Sequence, residues 1–554
     1  MHLHDRLTGS QPSHPALVVD LQTAQGGFFG DRGIRRYAMA FTLALLHRDA
    51  VSAVLFNPNR PTVEFIPPEL RDVARVEWGT TPTLRRLAAE GAGAYLMTSP
   101  FERVQPPASF VPRYVVDSGM PMVAVLYDLI PEIIDVYPPE LMEAYRARRE
   151  LIKRVDLILA LSDQTKRDAI ERLGVPPERV EVIGAGASDY FRPPAPGDQP
   201  ALLLAERLPQ ITRPYAFCVA GWSAHKNTEG LIDAWARLPS PTRDAFQLVV
   251  TCRLPPQAGT AWVDRARARG LRDDDLVVTD YVDDAVLRAL YQQASLFVSP
   301  SFYEGFGLPV LEAALCDCPA VTSNAAAVPE VLQWAPSSFS PGDLDEMAGV
   351  VERGLRDDEF RLQLRQAGEA AARRHTWESV ADRAAVACTR LAAGRARRRT
   401  PRLRFALVGA FSSGSDERVA RAISTVADVE CFSAVPEYGP TADRRQRVAR
   451  LGRTVDPWSY DAVVYLVDAH PPDAVLDAAR RYPGVVWFLA NPAECPQGRE
   501  LSRGARGRLV PPGAASPSAA ASVAPFVRPA PTRVATLDDL DGAVSDLLEL
   551  VRSG

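Results

Sequence analysis

The chain has 554 residues but no apolar run of about 18 residues, so no helix is expected to span a membrane. Its first residues, Met1-His-Leu-His-Asp-Arg6, lack the hydrophobic segment of a secretory signal. Cysteine is sparse and odd in number. Seven scattered residues exclude a disulfide frame in a chain this long and predict reduced, buried thiols. Cys316-Asp-Cys318 has no matching second pair, so it is expected to pack in a core and not to bind zinc. Positive charge is not in excess either: 63 Lys and Arg against 68 Asp and Glu leave a formal net charge of −5. With no global positive field, nucleic acid is excluded as the main partner. These absences together predict a cytoplasmic setting.

What remains is ordinary for a soluble globular protein, with 47% apolar and 24% charged residues. The length is too great for one core and predicts about two to four domains. The most informative stretch is Ser299-Pro-Ser-Phe-Tyr-Glu-Gly-Phe-Gly-Leu-Pro-Val-Leu-Glu312. It follows the apolar run Ala294-Ser-Leu-Phe-Val298, which reads as a buried parallel strand. Gly305 and Gly307 permit tight turns and close approach to a ligand. Pro309 suits the first turn of a helix running to about Cys316. Glu304 is then expected at a strand end and Glu312 about one turn into the helix. Free backbone N–H groups at such a helix start bind anions. Two carboxylates flanking that start suit a sugar nucleotide: diphosphate on the N–H groups, ribose on one carboxylate, transferred sugar on the other. The plainer alternative is a strand–loop–helix unit carrying two surface glutamates.

The segment resembles the E-x7-E signature of family 4 (group 1) glycosyltransferases, which are retaining enzymes of the GT-B fold. Pro319-Ala-Val-Thr-Ser-Asn-Ala-Ala-Ala-Val-Pro-Glu-Val331 is similar to the family's next strand and turn. The resemblance covers about residues 15 to 394. It implies an α/β chain with two Rossmann-like, doubly wound parallel-sheet domains facing a cleft. These would be an acceptor-side domain at 1–195 and a donor-nucleotide domain at 196–394, followed by a smaller α/β domain at 400–554. It also implies transfer of a hexose, mannose- or rhamnose-like, from a nucleotide-diphosphate sugar to a glycan, lipid-linked saccharide or other hydroxyl acceptor. Neither cofactor nor metal is implied.

The resemblance also assigns roles. Glu304 would stand by the sugar and Glu312 on the ribose, with Gly305, Phe306, Gly307 and Leu308 around the diphosphate. Gly221-Trp-Ser-Ala-His-Lys-Asn227 resembles the family's phosphate loop, which puts Lys226 on the diphosphate and His225 beside it. Tyr281 and Val282 fall where relatives place a base-binding loop. The glycine loop Gly26-Gly-Phe-Phe-Gly-Asp-Arg-Gly33 would lie over the donor phosphates, through Gly33 in particular. Asp128 matches the family's His-Asp-Leu-Ile-Pro element, or else simply caps the following turn.

Three departures stand out. The common Gly-Ile-Gly-Arg-Tyr reads Gly33-Ile-Arg-Arg-Tyr37, Tyr127 replaces a histidine near the sugar, and Gly221 stands where relatives often carry an arginine. A phenol can still donate a hydrogen bond, and His225 or a first-domain residue would have to supply the missing charge. The departures keep a rival reading open, that of a catalytically silent sugar-nucleotide-binding scaffold.

Elsewhere, strands are expected at Ala16–Leu21, Val51–Phe56, Ala94–Met97, within Pro121–Pro131 where a buried strand ends in a polar loop, and at Leu157–Ser162, Tyr215–Ala220, Phe246–Val250 and Leu276–Thr279. Val63–Leu70 is a further strand or a loop. Ser162 is a candidate helix cap. Asp273-Asp-Asp275 looks like the metal-holding D-x-D of another transferase fold but reads as a solvated corner. Arg374-His-Thr-Trp377 resembles the family's last core helix. The basic run from Gly394 to Arg404 reads as a linker, either solvated or touching anionic lipid at a membrane face. Beyond it the strand rhythm of the first domain returns without a second paired-glutamate motif, which suggests a truncated Rossmann-like repeat. Residues 511–531 form an alanine- and proline-rich stretch, and a terminal helix is expected over 537–551.

Overall fold

Parallel sheets covered on both faces select continuous Val, Ile and Leu over alternation. The computed structural model places three parallel sheets, of which the first two are built from such strands. It describes residues 17–21, 33–56, 70, 76–78, 81–90, 92–101, 120–134, 139–221, 223–252, 258–393, 404–410, 414–433, 445–447, 460, 462–467, 473–475, 478, 485–488 and 544. By its internal contacts the chain divides into two compact units. The first comprises Met1–Ala124, Glu143–Asp156 and Cys388–Gly554, and the second Val125–Met142 with Leu157–Ala387.

In the first unit, β1 (Leu17–Asp20), β2 (Val51–Phe56), β3 (Val76–Trp78), β4 (Ala94–Met97) and the opening of β5 (Met122–Leu126) run parallel in the order β3-β2-β1-β4-β5. The helix Gly33–Leu46 connects β1 to β2 and buries Tyr37, Phe41 and Leu45. The strand β3 was not anticipated, because three residues, Val-Glu-Trp, carry too short a pattern to read. The segment 63–69, expected as strand or loop, lies outside the described residues.

The second unit holds the end of β5, then β6 (Leu157–Ala160) paired with β7 (Val180–Val182). Its main sheet contains β8 (Tyr215–Val219), β9 (Gln247–Thr251), β10 (Leu276–Thr279), β11 (Leu296–Ser299), β12 (Ala320–Ser323) and β13 (Ser338–Phe339). The order is β10-β9-β8-β11-β12-β13, all parallel, so the strand order, not the strand direction, reverses between β8 and β11. Leu248, Val250, Leu296, Val298, Trp235 and Phe360 fill its core without exposure above 1%. Each such side chain contributes about 1.5–3 kcal/mol by leaving water. Cys316 and Cys318 are buried free thiols, as expected.

The third sheet, in the first unit, comprises β14 (Arg404–Gly409), β15 (Asp428–Ser433), β16 (Arg445–Arg447), β17 (Ala462–Val467) and β18 (Val485–Phe488). Its order, β16-β15-β14-β17-β18, repeats that of β1 to β5. The basic run through residue 403, the stretch 511–531 and the expected terminal helix lie outside the described residues, residue 544 excepted. Among the described residues no helix is long and apolar enough to cross a membrane.

One expectation needs correction. The corner at Asp273–Asp275 is not uniformly solvated, because Asp275 is only 2% exposed. It accepts hydrogen bonds from the Arg272 guanidinium at 2.8 Å, the Arg272 backbone N–H at 2.9 Å and Arg213 at 3.1 Å. Burial alone would raise its pKa, but these donors outweigh it and hold the carboxyl below its usual range.

Candidate active site

The loop after β11 brings most of the expected residues together, all within the second unit. Gly307 adopts φ +106°, which an L side chain rarely tolerates, and starts the helix Leu308–Leu315 with Pro309 in its first turn. Leu308 is partly exposed at that start. Glu304 therefore leaves the carboxyl end of β11, and Glu312 lies a turn inside the helix, as the spacing predicts. The phenol of Tyr291 donates to Glu312 Oε2 at 2.9 Å. Tyr291 is fully buried and edge-packed on Phe217 at 5.1 Å and Phe191 at 5.8 Å, so it is a rigid support for that carboxylate.

Lys226 reaches Glu304 from the neighbouring strand's loop. After β8 the chain makes a single tight turn, Ala224–Lys226, and Asn227 ends it in the left-handed region at φ 53°. The Asn227 amide donates to the carbonyls of Pro300 at 3.0 Å and Pro341 at 2.8 Å, and Phe302 N–H donates to the His225 carbonyl at 2.7 Å. The Pro300 and Phe302 bonds fasten the lysine loop to the glutamate loop, and the Pro341 bond ties it to the segment after β13. The Lys226 ammonium then sits 2.7 Å from Glu304 Oε1, which also accepts from the Ser301 hydroxyl at 2.7 Å. Burial would drive both groups toward neutrality, yet each charge holds the other: the Glu304 pKa is lowered and that of Lys226 is raised. The two form an ion pair.

The missing arginine has a structural counterpart. A Cβ on Gly221 would stand 2.7 Å from Lys226 Cγ, so the lysine stem lies where a side chain at 221 would begin. His225 does not supply the missing charge. Burial, then the charge of Lys226, lowers its pKa to about 4, and it is neutral near pH 7. One ring nitrogen lies 2.8 Å from the Ser223 hydroxyl.

Tyr127 and Asp128 close on the same loop. A Cβ on Gly305 would lie 2.0 Å from the Tyr127 carbonyl oxygen and 2.9 Å from Asp128 Cβ, so only glycine fits there. Asp128 Oδ1 accepts from Ile130 N–H at 3.0 Å, which is the turn-capping role expected as its plainer reading. Its pKa is raised, first by burial and further by the charge of Glu304, with the Ile130 bond and Lys226 opposing. Because the obstruction at 305 is backbone, Gly305→Ala is expected to cost about 1–3 kcal/mol, read as a lowered thermal midpoint. Gly349→Ala, inside the helix Leu344–Arg356 where a Cβ meets nothing within 4 Å, is the control and is expected to hold or raise the midpoint. Equal midpoints for the two variants would show that the loop yields freely.

Other expected residues are placed differently. The Phe306 ring is 4% exposed and packs edge-on against His375 at 5.2 Å, so its side chain serves the core. Tyr281, 53% exposed, and Val282 follow β10 at the sheet edge, with β9 and β8 between them and the glutamate loop. Gly33 is the first residue of the helix Gly33–Leu46 in the first unit, and the loop 26–32 before it lies outside the described residues. Among the described residues no cluster of three or more His, Cys, Asp and Glu is arranged to hold a metal. Sequence reading missed Ser301, Tyr291 and Asn227 as supports. Ser301, three residues before Glu304 in the motif, was the one with a local signal.

Residues 213–357, which include the lysine and both glutamates, match the family model described as Glycosyl transferases group 1. The chain is similar to the serotype-specific mannosyltransferase WbdA of Escherichia coli, 30% identical over 274 residues, covering 49% of this chain and 33% of WbdA. It is also similar to O-antigen chain mannosyltransferase B of Escherichia coli, 31% identical over 234 residues, covering 42% of this chain and 60% of that protein. The chain thus spans about a third of the length of the first relative and three fifths of the second. In fold it is similar to Anabaena Alr3699/HepE, crystallised in complex with UDP and glucose, with a TM-score of 0.52 at 18% identity over 67% of this chain and 99% of that one.

Proposed function

We propose that this group 1 glycosyltransferase of GT-B fold transfers a hexose from a nucleotide-diphosphate sugar to a saccharide, lipid-linked or other hydroxyl acceptor, with retention of anomeric configuration. The observation that carries the reading is the Lys226–Glu304 pair at 2.7 Å, held where the order of the main sheet reverses between β8 and β11. Ligands of doubly wound sheets bind outside the carboxyl ends of the strands at such a reversal. The relatives' names favour mannose as the sugar, with rhamnose as the other candidate. We keep the domain limits 1–195, 196–394 and 400–554, and a cytoplasmic setting, as part of this proposal.

In the reaction the bond between the anomeric carbon and the diphosphate oxygen breaks, and a bond to the acceptor oxygen forms on the same face. The acceptor proton passes to the departing phosphate oxygen. Lys226 stabilises the negative charge developing on the leaving diphosphate, together with the backbone N–H groups at the start of the helix Leu308–Leu315. Glu304 orients the sugar and stabilises positive charge at the anomeric carbon. Glu312, braced by Tyr291, takes the ribose. Asp128 and Tyr127 face the sugar side. The scheme calls on no metal ion, because protein groups meet the diphosphate charge.

A thermal-shift screen against UDP-, GDP- and dTDP-sugars tests donor binding. A ligand that binds only the native state at 100 times its Kd adds about 2.7 kcal/mol of stability. One nucleotide class is expected to raise the midpoint, and release of free nucleotide on adding acceptor distinguishes an enzyme from a silent scaffold. No shift with any class counts against the site.

A further inference from the structure

The helix Asp163–Leu173 lies far in sequence from the glutamate loop, yet it meets that loop and the turn after it at three successive points. At its first turn, the Glu330 carboxylate accepts from the backbone N–H groups of Asp163 and Gln164, both at 2.8 Å. Ser162 Oγ takes the next N–H, that of Thr165, at 3.0 Å. The positive end of the helix and its otherwise unsatisfied donors are thereby covered by a carboxylate from the turn following β12.

One residue on, the buried Thr165 hydroxyl lies 3.2 Å from the Gly305 carbonyl oxygen and 3.2 Å from that of Tyr127. It also accepts from Ser162 Oγ at 3.0 Å. This hydroxyl sits at the point where Gly305 and Tyr127 approach too closely for any Cβ. A turn further, the phenol of Tyr303 donates to Asp168, which is 2% exposed and also accepts from Gln164 and Arg172 at 3.2 Å. Tyr303 precedes Glu304 and Gly305 follows it. Both neighbours of the glutamate are therefore tied to one helix, while Lys226 and Ser301 hold the carboxylate itself.

We propose that the helix Asp163–Leu173 is the positioning element of the glutamate loop. Thr165, Asp168 and Glu330 are its positioning residues, and they fix where Glu304 stands relative to the Tyr127–Asp128 corner. The inference rests on the transferase reading only in taking Glu304 as a reacting group; the geometry itself is tested without it.

Hydrogen–deuterium exchange on the full chain reads that geometry directly. Thr165→Val and Tyr303→Phe each remove one hydroxyl with little change of shape. Each is expected to speed exchange of the 301–307 peptide by about tenfold and leave peptides of β8 and β9 unchanged. Thr165→Ser, which keeps the hydroxyl, is expected to restore protection. Unchanged exchange at 301–307, or a rise spread evenly over the main sheet, overturns the inference.

A second readout is kinetic. Both variants should lose about 10- to 100-fold in kcat with donor Kd held within about threefold, as for a reacting group displaced by a fraction of an ångström to one ångström. An equal loss of donor affinity would mean a general structural role and would sink the proposal. If the wild-type chain transfers no sugar, the proposed function fails, and the exchange result still decides this inference. Should Thr165→Val not fold, Tyr303→Phe carries the test alone.

Discussion

Lys226→Ala is expected to slow sugar transfer by about 10²- to 10³-fold and to weaken donor binding, the scale seen when one charge-stabilising group is lost. Nothing else in its loop can take over. Gly221 has no side chain, and His225 is neutral near pH 7 because burial and the lysine itself lower its pKa to about 4. The substitution also strands Glu304, whose largely buried carboxylate then lacks its 2.7 Å partner. That second effect has its own signature in pH. The folded pKa of Glu304 is depressed, so its contribution to stability is present above the unfolded carboxyl value and is lost as pH falls through the folded one. Lys226, with its folded pKa raised, contributes fully below the unfolded amine value and loses that contribution only as pH rises through the folded one. The stability gap between wild type and variant should therefore be constant near neutrality and close in acid. A Lys226→Ala, Glu304→Gln double variant should recover stability without recovering turnover. Turnover and donor titration that match wild type in the folded single variant would remove Lys226 from the site.

The sequence made the frame readable where a local pattern sufficed. Continuous apolar runs gave β8 to β11 of the main sheet, and Gly307 with Pro309 gave the start of its central helix, because each signal lies within a few residues. The Glu304–Glu312 spacing and the lysine loop were legible as parts. Their union was not, since Lys226 and Glu304 are 78 positions apart and their bond depends on how β8 and β11 lie side by side. Thr165 and Gly305 are 140 apart, and no pattern in either segment points to the other. The same holds for electrostatics. His225 looked able to replace the missing arginine until its burial and the adjacent ammonium are counted, and Asp275 looked like a solvated corner until its two arginines are. The departure at Gly221 read as a loss; in the fold it is the space through which the Lys226 stem passes.

Glu304→Gln and Glu312→Gln are expected to fail in different ways, although both only exchange a carboxylate for an amide. Glu304 sits between Lys226 and Ser301, close enough to Asp128 for its charge to help raise that residue's pKa. Its proposed contribution grows as positive charge develops on the sugar, so its loss should lower kcat by about 10²-fold or more and change donor affinity little. The glutamine also removes the charge that pairs with Lys226. That frees the ammonium for the donor diphosphate and works against any loss of binding. Glu312 stands in the helix, with the buried Tyr291 phenol on one oxygen at 2.9 Å. Its proposed partner, the ribose, does not change in the reaction, so uniform binding is lost: donor Kd should rise about tenfold or more while kcat at saturation stays near wild type. Tyr291→Phe, which removes only the brace, should shift Kd in the same direction by a smaller factor. Donor titration by calorimetry and saturation kinetics on each folded variant separate the two patterns. If both glutamine variants lose only apparent donor affinity, Glu304 has no special role as charge develops, and the division of labour between the two carboxylates is wrong.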